Sequence, residues 1–101
     1  MKKSQESYLN EFTKYIISGN ENMQLGREAE KWGRETDAYY YYLGATKDYA
    51  QARRTMLIPR FCNLPIFKQN YAKADVCYND AKAKCGHLYY KLTGGEFNPG
   101  L

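Results

Sequence analysis

Few side chains in this sequence are of a type that does chemistry, and their spacing argues against catalysis. The only histidine, His87, has no His, Cys or carboxylate three or four residues after it, so the ligand spacing of a helical metal site is missing. Cys85 lies two residues from His87, and on a helix side chains so spaced point about 160° apart, which rules out a nucleophile and base pair between them. Glu28, Glu30, Glu35 and Asp37 alternate with Arg27, Lys31 and Arg34, as on a solvated, ion-paired helix face. Gly94-Gly95 is followed by no helix whose N-terminus could receive a phosphate. The expectation is a protein that is not an enzyme and holds no metal or cofactor.

Charge carries the stronger signal. The net charge is +4, and residues 45–101 hold nine Lys or Arg against four Asp or Glu, whereas residues 1–44 hold six against seven. No acid occurs between Asp48 and Asp75, a window that contains Arg53, Arg54, Arg60, Lys68 and Lys73 with Phe61 and Phe67 nearby. Cations beside aromatic rings suit phosphates and stacked bases, and an acidic protein surface would answer the same field. Arg53 falls on an apolar seam, so it must snorkel toward the helix end or pair with a buried acceptor.

A chain of 101 residues fits one domain. A domain of that size buries about 60–70% of the surface its unfolded chain exposes, so it folds with little margin. The three cysteines, Cys62, Cys77 and Cys85, form no C-x-x-C pair, and Cys77 and Cys85 would stand about 12 Å apart along a helix, too far for a bridge. They are expected to be reduced. No run of eighteen apolar residues spans a membrane, and Met1-Lys2-Lys3 leads into polar residues instead of a signal peptide's apolar core. The expected setting is cytoplasmic, with no membrane partner.

The elements that position these residues are helical. Ser4 can cap a first helix at about 5–18, where Tyr8, Leu9, Phe12, Tyr15 and Ile16 share one face and Ser18-Gly19-Asn20 supplies a stop. A second helix is expected over about 22–57, along Leu25, Ala29, Trp32, Thr36, Tyr39, Leu43, Thr46, Ala50, Arg53 and Leu57, until Pro59 disfavours it. Gly26, Gly33 and Gly44 lie inside it, each a place for a bend or for close approach of a neighbouring ring. A second stripe, Ala38, Tyr42, Ala45, Tyr49, Ala52 and Met56, widens the apolar face enough for two neighbours. Pro65 opens a third helix, about 65–92, along Phe67, Tyr71, Ala74, Tyr78, Ala81, Cys85, Leu88 and Leu92. Gly86 is a candidate early stop, Thr93-Gly94-Gly95 the firmer one, and Phe97 in the tail can tuck against the bundle. The fold class is therefore all-α: a long antiparallel helical hairpin with a shorter N-terminal helix packed across it.

Tyr39-Tyr40-Tyr41-Tyr42 places phenols on every side of the second helix. Tyr39 and Tyr42 belong to the apolar stripes, which leaves Tyr40 and Tyr41 for an interface, tyrosine being common at interface hot spots. On α-helix three, Ala72, Val76, Ala83 and Tyr90 make a weak outer stripe. The compactness, the missing catalytic set and the Tyr-rich surfaces resemble small phage or mobile-element accessory proteins in general style, which implies an accessory or inhibitor role. The expected function is binding to a larger protein or nucleoprotein partner through Arg53, Arg54, Arg60, Phe61, Lys68 and Lys73 with Tyr40 and Tyr41. Direct nucleic-acid binding and a structural homo-oligomer are the alternatives.

Overall fold

The computed structural model describes residues 2–100 as three helices: α1 (Gln5–Lys31), α2 (Glu35–Thr55) and α3 (Pro65–Thr93). The chain runs up, down and up in a rod of 46 × 23 × 23 Å, with α1 packed against α2 and α2 against α3. The all-α, three-helix architecture is the expected one, and the third helix stands where expected. The first two helices divide differently.

Helix α1 does not stop at Ser18-Gly19-Asn20; it runs on to Lys31 and is 27 residues long, against 21 for α2, so the N-terminal helix is not the short one. The turn is at Trp32-Gly33-Arg34. Gly33 has φ +73°, its N–H donates to Glu30 O, and the Arg34 N–H donates to Ala29 O, the paired bonds of a Schellman ending. Arg34 then pairs with Asp37 at 2.6 Å in the first turn of α2. Of the three glycines inside the expected long helix, Gly33 is the one whose conformation ends it.

Gly19 is buried inside α1 for a packing reason. A Cβ there would lie 2.5 Å from Tyr49 Cε1, and a Cβ on Gly26 would lie 2.5 Å from Tyr42 Cε1. Each glycine is a socket for a tyrosine ring of α2, and both pairs are seven residues apart, so antiparallel α1 and α2 mesh two turns at a time. The hydroxyls reach the flanks: Tyr49 donates to Asn20 Oδ1 at 2.5 Å, and Tyr42 donates to Glu30 Oε1. On the other flank Asp48 accepts from Ser18 Oγ at 2.7 Å and Asn22 Nδ2 at 3.0 Å. The register of α1 on α2 is thus fixed by ring-in-socket contacts and by hydrogen bonds at both edges.

The central stripe of α2 is the second one, Ala38, Tyr42, Ala45, Tyr49, Ala52 and Met56, all buried. It is flanked by α1 on one side and α3 on the other, the two neighbours its width requires. The first seam lies toward its rim: Thr46 and Ala50 are buried, Tyr39 and Leu43 half-buried, and Leu57, beyond the helix, is exposed. Helix α3 contributes Phe67, Ala74, Tyr78, Ala81, Cys85 and Leu88 to the core, while Leu92 is exposed. Gly86 does not interrupt α3; it faces Phe97, whose ring lies 6.2 Å from Tyr39 and 5.8 Å from Tyr89 as the tail folds back. Gly94, with φ +75°, ends the helix. Leu101, the end of the expected arm, lies outside the described residues, as does Met1.

Burying phenols and a thiol links the fold to alkaline pH. Desolvation pushes Tyr49 up to about 12 and Cys85 up to about 12, and it raises Tyr42 with help from the bond to Glu30. In each case the fold favours the neutral form. The stability these groups lend is therefore complete below the unfolded values, about 9 for Cys and about 10 for Tyr, and for Tyr49 and Cys85 it is lost as pH rises through about 12. Helix circular dichroism and phenolate absorbance followed in one alkaline titration should show Tyr42 and Tyr49 ionising together with loss of helix. Ionisation of all tyrosines near pH 10 with helix intact would contradict this.

Candidate partner-binding interface

One end of the rod is built from the start of α1, the end of α2, the connection 56–64 and the start of α3. Arg54 closes the last turn of α2, Arg60 sits in the connection, and Lys68 is in the first turn of α3; all three are exposed. None of the three has an ion-pair partner among the described residues. Arg60 lies over the Phe61 ring, 4.8 Å from its centroid, and its Nη1 approaches Lys3 O at 3.5 Å. Lys2 and Lys3 therefore join the same end, and with Tyr8, Ile58, Pro59 and Arg60 they line a shallow cleft. Lys3 is paired with Glu11, a contact that raises the lysine's proton affinity.

The N-termini of α1 and α3 both open on this end, and each adds a partial positive charge. Ser4 caps α1 through the Ser7 N–H at 3.1 Å, with Glu6 in its first turn. Helix α3 begins with Pro65 after Leu64, without a side-chain cap or an acid in its first turn. No acid in the first turn of α3 therefore offsets Lys68, and Arg53 and Arg54 stand in the last turn of α2, at its negative end.

No protein-family model, curated protein or solved structure matches the chain. Function must be sought in this geometry alone.

The eight residues singled out by type and spacing do not form one site. Arg54, Arg60, Phe61 and Lys68 come together at the tip. Arg53 is withdrawn from it: its Nη1 pairs with Asp75 Oδ1 at 2.8 Å, and its guanidinium stacks 3.7 Å from the Tyr78 centroid, joining α2 to α3. The acceptor is not buried, the Asp75 side chain being 40% exposed, so the seam cation is held by a rim carboxylate and a buried ring. Lys73, although exposed, stands two turns up α3 beside Phe12, Ile16, Val76 and Cys77, where α1 and α3 face each other. Tyr40 is 63% exposed but lies fourteen residues from Arg54, about 21 Å along the helix. Tyr41 is half-buried against the core, so it is not a free interface ring.

The aromatic residues at the tip are also less available than their spacing implies. Phe67 is fully buried, and Phe61 is half-buried between Tyr8 at 6.1 Å and Phe67 at 5.6 Å, with Arg60 across it. They form a structural plug under the cations. What the tip does expose is aliphatic: Leu57, Leu64 and Ile66. These three and Lys2 and Lys3 were not singled out in the sequence, since Leu57 has the periodicity of a core position and the lysines are remote from residue 60 until the topology folds them back.

Arg53→Ala is expected to cost about 1–2 kcal/mol, from loss of the stacked cation and of the Asp75 pair. It should lower the melting temperature by several degrees while leaving tip-mediated binding unchanged. Thermal unfolding paired with a binding assay checks this, and loss of binding at full stability would return Arg53 to the contact surface.

Proposed function

We propose that the chain is a non-enzymatic binding protein that engages a larger, anionic macromolecular partner through the cationic tip. The observation that carries this is the convergence of Lys2, Lys3, Arg54, Arg60 and Lys68 on one end, with four of the five in no ion pair among the described residues and no acid in the first turn of α3. Such a field speeds encounter with an anionic surface and rejects cationic ones. The three cysteines are unpaired, in keeping with work in a reducing, cytoplasmic setting. An accessory or inhibitor role fits a compact chain that acts by occupying a surface.

The test is Arg54→Glu, Arg60→Glu and Lys68→Glu together. Retention of the partner from host extract should be abolished while the helical spectrum is kept; unchanged retention contradicts the proposal. Direct nucleic-acid binding is checked by titrating single- and double-stranded oligonucleotides at two salt concentrations, since counterion release demands weaker binding at the higher one.

A second reading is self-association, favoured by an exposed stripe of α3 at the rim of its groove with α1, where Val76 is 70% and Tyr90 65% exposed in line with Ala72 and Ala83. Light scattering over a concentration series decides it: a constant monomer mass removes the reading.

A further inference from the structure

We infer that the tip is a peripheral docking surface for an anionic phospholipid bilayer, an assignment that rests on the tip being the contact surface. Charge alone would suit any polyanion, and the aliphatic side chains make the distinction. Leu57, Leu64 and Ile66 are 53%, 37% and 40% exposed; Leu57 and Leu64 lie in the connection that carries Arg60, and Ile66 in the first turn of α3 beside Lys68 in sequence. Scattered single apolar residues on a surface are ordinary; three on one end where the cations outnumber the acids, Glu6 and the Lys3-paired Glu11, set that end apart.

Nucleic acid answers half of this surface. Its phosphates would meet the cations, but sequence-tolerant binding of bases needs open ring faces, and Phe61 and Phe67 are closed in. A bilayer answers both halves. Anionic headgroups meet Lys2, Lys3, Arg54, Arg60 and Lys68, and the boundary of headgroup and acyl chain takes up Leu57, Leu64 and Ile66. The shape agrees: the tip is the end of a rod 23 Å across, which projects toward a flat surface instead of enclosing a strand. No helix among the described residues is long and apolar enough to cross a membrane, so the attachment is to the surface, shallow and reversible. The absence of an apolar span, from which no membrane partner was expected, bears on crossing and leaves surface docking open. The anionic leaflet of cell membranes is the cytoplasmic one, the setting proposed above for the chain.

Sedimentation of the full chain with vesicles of phosphatidylcholine, with and without phosphatidylglycerol, tests the inference. Pelleting is expected with phosphatidylglycerol vesicles at low salt, not with phosphatidylcholine alone, and should weaken as salt rises. Arg54→Glu/Arg60→Glu/Lys68→Glu should weaken it more than about a hundredfold. Leu57→Ser/Leu64→Ser/Ile66→Ser, all at exposed positions, should weaken it at least about tenfold with the helical spectrum unchanged. Absence of pelleting with phosphatidylglycerol vesicles at low salt overturns the assignment, as does serine-variant binding equal to wild type. A duplex oligonucleotide titrated in parallel separates the two levels. Binding to it that depends on Arg54, Arg60 and Lys68, without vesicle binding, overturns the lipid assignment and retains the tip as contact surface. Vesicle binding indifferent to the charge reversals overturns both.

Discussion

Replacing Gly26 by valine should destabilise the fold by about 2–4 kcal/mol, although glycine is the poorest ordinary residue for a helix interior. On an isolated helix the exchange would be mildly favourable. Here the new Cβ would lie 2.5 Å from Tyr42 Cε1, 2.7 Å from Cδ1 and 2.9 Å from Cζ. The ring has nowhere to go, because Tyr42 is fully buried and its hydroxyl is tied to Glu30. Gly19→Val should behave alike against Tyr49, which Asn20 holds at 2.5 Å. Gly44→Ala is the control: the nearest atom to its Cβ would be Asn22 Nδ2, at 3.1 Å and bonded to Asp48, so a shift of a few tenths of an ångström in that side chain relieves the contact and part of the helix-propensity gain of up to about 1 kcal/mol survives. Chemical denaturation of the three variants checks the order, and equal tolerance at Gly26 and Gly44 would contradict the socket account.

Tyr42→Ala should cost about 3–5 kcal/mol, the range for emptying a buried aromatic site. Against a total stability of roughly 5–15 kcal/mol for a domain, that leaves a chain near its unfolding threshold. Tyr42→Phe keeps the ring and loses only the bond to Glu30, for about 1 kcal/mol, so ring volume and hydrogen bond are separable. The two sites also test each other. In Gly26→Val/Tyr42→Ala the valine enters space the ring has vacated, and the double variant should be more stable than the sum of single effects predicts by 1 kcal/mol or more, where "1" is about the coupling usual for residues in contact. Strict additivity would mean that Gly26 and Tyr42 do not share a socket.

The stripes on α2 and α3 were legible in the sequence because four- and three-residue spacing is a direct record of helix burial: Ala38 to Met56 are buried as their period requires, and so is the seam from Phe67 to Leu88 except for the half-buried Tyr71. The division between α1 and α2 was not. Ser18-Gly19-Asn20 has the composition of a helix end, and Gly33 lies inside an apolar period, so local chemistry favours the wrong glycine. What decides between them is a ring on another helix, visible in the sequence only as matched seven-residue spacings, Gly19 with Gly26 and Tyr42 with Tyr49. The cations at the tip were legible as an acid-free window. That Arg53 leaves them for Asp75, and that Lys2 and Lys3 join them, depends on contacts across 22 and 57 residues of sequence and needed the fold.

On the proposed reading, position on the rod, and not net charge, makes the contact surface. Two triple variants of equal net charge test it most directly: Arg54→Glu/Arg60→Glu/Lys68→Glu at the tip, and Lys31→Glu/Lys47→Glu/Lys82→Glu at exposed positions away from it. Binding to phosphatidylglycerol vesicles and retention of the host partner should be lost in the first and remain within about threefold of wild type in the second, apart from long-range screening-dependent effects. Equal losses in both would show that the chain responds to its overall charge, and that the tip is not the site.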